Sequence, residues 1–173
     1  QWSATLAGTY ADISGATSST YAVDGAYSGK YLRVSVTFSQ TGYTTSSAIV
    51  STGVLVGAGA FTGAPTATIT GTAQVGLTLT ATPAAGTLSP TPTGYAYQWQ
   101  WDNAGTWTNI SGATSSTYVV EGAYAGKTIR VAVFGTLSGY SNSGAGYSAA
   151  TTTIANGTFV LGTASVATAD TVK

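Results

Sequence analysis

A chain of 173 residues with five basic and five acidic side chains, 6% charged residues and no His offers no basic field for nucleic acid and little long-range repulsion to keep copies apart. Because Cys and Met are absent too, no disulfide framework, thiolate nucleophile or covalent haem attachment can be built. No apolar run is long enough to span a membrane, and the first residues form neither a basic nor an apolar leader region, so a signal peptide would lie outside this chain.

Residues 1–57 read as strands and turns. Gln1-Trp2 begins in mid-strand, Ala7-Gly8-Thr9 is a turn, and Tyr21 to Asp24 is a short strand before a turn at Gly25 to Gly29. The clearest strand is Lys30 to Phe38, where Leu32, Val34 and Val36 alternate with Tyr31, Arg33 and Ser35. A period of two assigns the aliphatic set to a core face and the polar set to water. Gly42-Tyr43 marks a hairpin, Ser46 to Val56 returns as a strand, and Gly57 to Gly63 is a Gly/Ala-rich connection.

Beyond Pro65 the pattern predicts a strand over Ala67 to Thr70 and another over Gly76 to Thr82, with Leu77, Leu79 and Ala81 on its inner face. Pro83, Gly86, Pro90 and Pro92 interrupt regular structure up to Tyr95. Tyr95, Tyr97, Trp99 and Trp101 then share one face of an aromatic strand, which Asp102 to Gly105 turns toward Trp107. A turn at Gly122 to Gly126, a strand over Thr128 to Phe134 with Ile129, Val131 and Val133 inward, a hairpin at Gly139-Tyr140 and a last strand near Tyr147 to Ile154 complete the series.

Ile13 to Tyr21 and Ile110 to Tyr118 are identical letter for letter. A shift of 97 positions places Gln1-Trp2 on Gln98-Trp99 and Tyr10 on Trp107, runs ungapped to Ser51 on Ser148, and leaves 28 of 53 positions identical. This is the signature of a duplicated module. Phe159 falls on Phe61 at a shift of 98. The expected organisation is the later part of one module at 1–57, a complete module at 58–154, and at 155–173 the opening strand of a further module or a donated strand. No segment shows a helical period, so an all-β chain of tandem antiparallel β-sandwiches is expected.

A Trp in mid-strand, the segment Ile110 to Tyr118, a Gly-Lys turn into an aliphatic strand and a Gly-Tyr hairpin together resemble the bacterial immunoglobulin-like repeats of large secreted or surface-anchored, adhesin-like proteins. The resemblance covers nearly the whole chain. It implies an immunoglobulin-like fold with Trp2 and Trp99 as the core Trp of the third strand, and with Gly29-Lys30 and Gly126-Lys127 closing the turn before the next-to-last strand. Such repeats commonly carry an acidic residue just before that turn. Here Tyr27 and Tyr124 stand there, with Asp24 and Glu121 near enough to pair with Lys30 and Lys127.

The chemistry available is narrow. The only acids are Asp12, Asp24, Asp102, Glu121 and Asp170, so general bases, nucleophile activators and calcium-binding clusters are scarce, and no catalytic residue, metal or cofactor is expected. An isopeptide bond between Lys127 and Asn109 or Asn142 is a nominal option against the plainer reading of a solvated lysine. Asn109-Ile110-Ser111 and Asn156-Gly157-Thr158 are sequons that matter only in a glycosylating host.

Two functional readings follow: a non-catalytic extracellular or cell-surface structural module of a fibre, stalk or filament, and an adhesin segment binding a carbohydrate or other cell-surface ligand. In the first, the partners are copies of the chain or neighbouring repeats, and Phe159, Val160 and Leu161 could exchange as a strand. In the second, Trp101, Trp107 and Tyr10 would stack on a surface glycan, against the plainer reading that they pack within the β-structure. Residues 1–57 lack counterparts of residues 58–97, which leaves an open strand edge there.

Overall fold

In the computed structural model, which describes residues 1–159, every strand pairs antiparallel with its neighbours. Residues 1–57 form β1 (Trp2–Ser3), β2 (Tyr31–Leu32), β3 (Ser35–Val36), β4 (Ile49–Val50) and β5 (Val54–Leu55). The later strands are β6 (Thr66–Thr70), β7 (Thr78–Ala84), β8 (Gly94–Asn103), β9 (Thr106–Asn109), β10 (Thr117–Val119), β11 (Ile129–Thr136) and β12 (Gly146–Tyr147). The first strands pair as β1-β2-β5 and as β3-β4, and the later strands form one sheet of order β10-β7-β6 and another of order β12-β11-β8-β9. A 3-10 turn at Gly25–Tyr27 recurs at Gly122–Tyr124.

The two later sheets enclose one core. Leu79 and Ala81 from β7 meet Trp99 from β8 and Ile129, Val131 and Val133 from β11, joined by Ile110, Tyr118, Val120 and Ile154. Alternation explains the selection, since the odd positions of β11 turn inward while Arg130 and Phe134 stay partly exposed. Trp99 has its ring fully buried, and its indole Nε1 donates to the Ser115 carbonyl at 2.9 Å, so the polar atom is satisfied. Only Trp99 of the four aromatics alternating along β8 is wholly inside; Tyr95, Tyr97 and Trp101 pack at the core margin.

Three sequence expectations are corrected. Val34 and Val36, assigned to a core face, are 59% and 43% exposed, and Leu32 is half-buried. The strands that cover Val131 and Val133, residues 66–84, have no counterpart among residues 1–57, so the same alternation has nothing to pack against. Leu77 is exposed as well, because it precedes β7 in the turn that carries Gly76 at φ 85°. Finally, Pro83 lies within β7 rather than breaking it: β10 pairs only with Thr78 to Thr80, so by Pro83 that side of β7 is an edge where a missing N–H costs little.

The longer predicted strands of residues 1–57 are shorter as well. Tyr21 to Asp24 is not a strand, whereas its counterpart β10 pairs with β7. Lys30 to Phe38 resolves into β2 and β3, and Ser46 to Val56 into β4 and β5, linked by bonds such as Ser51 N to the Val34 carbonyl at 2.9 Å. Near the end, the strand expected near Tyr147 to Ile154 is reduced to β12, Gly146–Tyr147.

Candidate functional site

Two arrangements stand out, one repeated in each copy and one at the joint between them. The first is a stack of cations on aromatic rings across the β11 sheet. Arg130 projects outward from β11, and its guanidinium carbon lies 4.3 Å from the Trp107 ring centre and 4.0 Å from that of Tyr147. Its Nε donates to Gln100 Oε1 at 2.8 Å, and Gln100 Nε2 donates to Asn109 Oδ1 at 2.8 Å. A planar, weakly hydrated guanidinium suits this place better than an ammonium, because it can stack on both rings while donating in its own plane.

On the opposite face, at the margin of the core, Trp101 packs against Tyr124 with ring centres 5.9 Å apart, and Lys127 Nζ stands 5.5 Å from the indole centre. The row continues inward through Tyr118 to Trp99, with centres 6.3 and 5.8 Å apart. Tyr118 places its hydroxyl in a buried spot with no hydrogen-bond partner among the described residues. Burial first, then the neighbouring Glu121 carboxylate and Tyr124, push that hydroxyl up to about 12.

The first copy repeats these contacts, but in a different register from the ungapped alignment. Arg33 Nε donates to Gln1 Oε1 at 2.7 Å, Gln1 Nε2 donates to Asp12 Oδ1 at 2.8 Å, and the Arg33 guanidinium lies 4.0 Å from the Tyr10 ring centre. Lys30 Nζ stands 4.2 Å from the Trp2 ring centre, with Tyr27 beside it at 6.2 Å. Trp2 is opposite Leu32 as Trp101 is opposite Ile129. Gln1-Trp2 therefore corresponds to Gln100-Trp101, not to Gln98-Trp99, and the hairpin between Trp2 and Tyr10 is two residues longer than that between Trp101 and Trp107.

This corrects the assignment of Trp2 as a core residue. The indole is half-buried at the margin under a lysine, and residues 1–57 contain no counterpart of Trp99. It also gives Trp101 a partner in the first copy, Trp2, where the shift of 97 positions would pair it with Ala4. The doubled run Gln98-Trp99-Gln100-Trp101 hides the choice of register. The sequence signal for the register is the outward Arg33 and Arg130, identical in the two copies, each of which takes a Gln from the opposite strand.

The second arrangement is the joint between the copies. Gly25, opening the first 3-10 turn, abuts the hairpin of the second copy so closely that a methyl there would stand 2.5 Å from the Ser138 carbonyl oxygen. Gly139, at φ 78°, backs onto Gly25 in the same contact. Gly59 N donates to the Gly139 carbonyl at 2.9 Å, and Ser141 N donates to the Gly59 carbonyl at 3.0 Å. Phe61 packs on Tyr140 with ring centres 5.5 Å apart. The connection Gly57 to Gly63 is thus a hydrogen-bonded part of the joint rather than a free tether.

Comparison with protein-family models, with curated proteins and with solved structures gave no match.

The structure does not bring Trp101, Trp107 and Tyr10 into one platform. Trp101 and Trp107 lie on opposite faces of the β8-β9 ribbon, because Trp107 is opposite Asp102, one residue along from Trp101. Each has a ring face near a cation, and Tyr10 belongs to the other copy beneath Arg33. Asp24 does not sit as a simple partner for Lys30: its Oδ1 accepts from Ala26 N at 2.8 Å and caps the 3-10 turn. Asn109 is held by Gln100, while Lys127 stands over Trp101. Phe159 is fully exposed, and Val160 and Leu161 lie outside the described residues.

No group of three or more potential metal-ligating side chains occurs among the described residues. None of their helices is long and apolar enough to cross a membrane.

Proposed function

We propose that this chain is a non-catalytic structural repeat of an extracellular or cell-surface fibre, stalk or filament, assembled from tandem immunoglobulin-like sandwiches. One observation carries the reading: Gly25 of the first copy closes directly on Ser138 and Gly139 of the second, in a hairpin that the Gly59 hydrogen bonds and the Phe61–Tyr140 contact pin to the connecting segment. Backbone contacts between copies transmit load along the chain axis in a way that a flexible Gly/Ala linker cannot. Scarce charge supports the same reading, since neighbouring copies meet without electrostatic cost.

Electron microscopy of the native surface material tests it. Ordered fibres with an axial repeat of one copy are the expected result, and isolated globular particles would refute the proposal. The carbohydrate-binding alternative is read from the same protein by titrating its Trp fluorescence with cell-wall glycans. Quenching that disappears in Trp107→Ala would favour a glycan site.

A further inference from the structure

The joint inside the chain has two halves, and each half recurs, exposed, at another place. The receiving half is the 3-10 turn with the segment following β5: Gly25, Gly59 and Phe61. Its counterparts are Gly122, Gly157 and Phe159, at shifts of 97 and 98. Around them lies a cleft of about 550 Å³, walled on its other side by Gln74 to Leu77. A methyl at Gly122 would meet nothing within 4 Å, and the Phe159 ring is fully exposed, whereas Gly25 and Phe61 are both engaged.

The inserting half is the hairpin with Ser138, Gly139 and Tyr140, whose counterparts are Thr41, Gly42 and Tyr43. The two hairpins have the same construction. Tyr140 N donates to the Leu137 carbonyl at 3.0 Å as Tyr43 N donates to that of Gln40 at 3.0 Å. Ser143 N reaches the Gly135 carbonyl as Ser46 N reaches that of Phe38, and Gly42 has φ 84° beside 78° for Gly139. Tyr43 is 74% exposed. Along β11, the inserting and receiving halves of one copy are separated by eight residues of strand, roughly 26 Å.

We propose that the cleft around Gly122 and Phe159 is a docking socket for the Thr41–Tyr43 hairpin of a second copy of this chain, joining copies head to tail. The proposal rests on the structural-repeat reading above and names its partner. Gly157 takes the place of Gly59 and exchanges two backbone hydrogen bonds with Gly42 and Thr44 of the incoming hairpin. Tyr43 packs on Phe159 as Tyr140 packs on Phe61. Because the contact is heterologous, with different surfaces on the two partners, it propagates into a line rather than closing as a symmetric dimer.

The test uses the full 173-residue chain. In sedimentation velocity over a concentration series, the wild type is expected to associate beyond a dimer. Gly122→Ala is expected to weaken that association at least about tenfold, since its methyl would meet the carbonyl preceding Gly42, while leaving the melting temperature of the monomer unchanged. A wild type that stays monomeric, or a Gly122→Ala variant that associates equally well, overturns the proposal.

Cross-linking supplies an independent reading, because the chain has no cysteine of its own. Tyr43→Cys and Phe159→Cys chains mixed with a short bis-maleimide should give a heterodimer that neither variant gives alone; its absence overturns the proposal. A Phe61→Cys/Tyr140→Cys chain should link within itself. If that control links and the mixture does not, only the docking proposal falls. If the control also fails, the joint and the structural-repeat reading fall with it.

Discussion

Replacing three tryptophans one at a time separates the core from its margin. Trp99→Ala removes a fully buried indole and its 2.9 Å bond to the Ser115 carbonyl, which should cost about 3–5 kcal/mol. Trp2→Ala removes a half-buried ring and its contact with Lys30. The cation contact contributes about 0.5–1 kcal/mol at such a site and the half-burial of the ring about 1 kcal/mol more, so a total of about 1.5–2 kcal/mol is expected. Trp101→Ala, the register partner of Trp2, should resemble it.

Urea unfolding followed by far-UV circular dichroism measures all three without relying on the indoles themselves. With a slope of about 1–3 kcal/mol per molar urea, Trp99→Ala should move its midpoint by roughly 2 M, about twice the shift from either other change. If Trp99→Ala fails to fold, Trp99→Phe serves, with an expected cost between the two. Equal losses for Trp2→Ala and Trp99→Ala would restore the ungapped pairing of those residues and refute the two-residue offset.

Arg130→Lys keeps the charge but loses the Gln100 bond and the fit between Trp107 and Tyr147; about 1 kcal/mol of destabilisation in thermal or urea unfolding is expected. Val131→Thr should cost more than 1 kcal/mol and Val34→Thr less than about 0.5 kcal/mol, because one valine is fully buried and the other is 59% exposed. Tyr118 is a neutral acid whose folded value is raised to about 12 from 10.0. Between those values the unfolded chain has lost a proton that the folded chain retains, so its contribution is intact below pH 10 and falls as pH rises toward 12. With solvent screening discounted, the loss is on the order of 1 kcal/mol. Tyr118→Phe should remove that alkaline decline.

Much of the architecture was legible in the chain because strand periodicity is local. The odd positions of Thr128 to Phe134 identify the buried face of β11, and Gly-Tyr pairs identify both hairpins. The joint was not legible. Nothing local marks Gly25 as the glycine against which Ser138 closes, since Gly122 sits in the same short sequence and faces open space. The aromatic stack was half legible: Trp107 stood out by type, but its cover came from Arg130 on a strand distant in sequence.

The nonapeptide shared by the copies marks the division. By itself the sequence determined that Ile13 to Tyr21 and Ile110 to Tyr118 take similar local turns, with Gly15 and Gly112 at φ 74° and 72°. Only the tertiary structure decided that Ile110 and Tyr118 are buried at 2% and 7% exposure while Tyr21 remains 41% exposed. Turn geometry is fixed by neighbours along the chain, but burial requires an opposing sheet. For the second copy β7 supplies one, and residues 1–57 contain no strand equivalent to it.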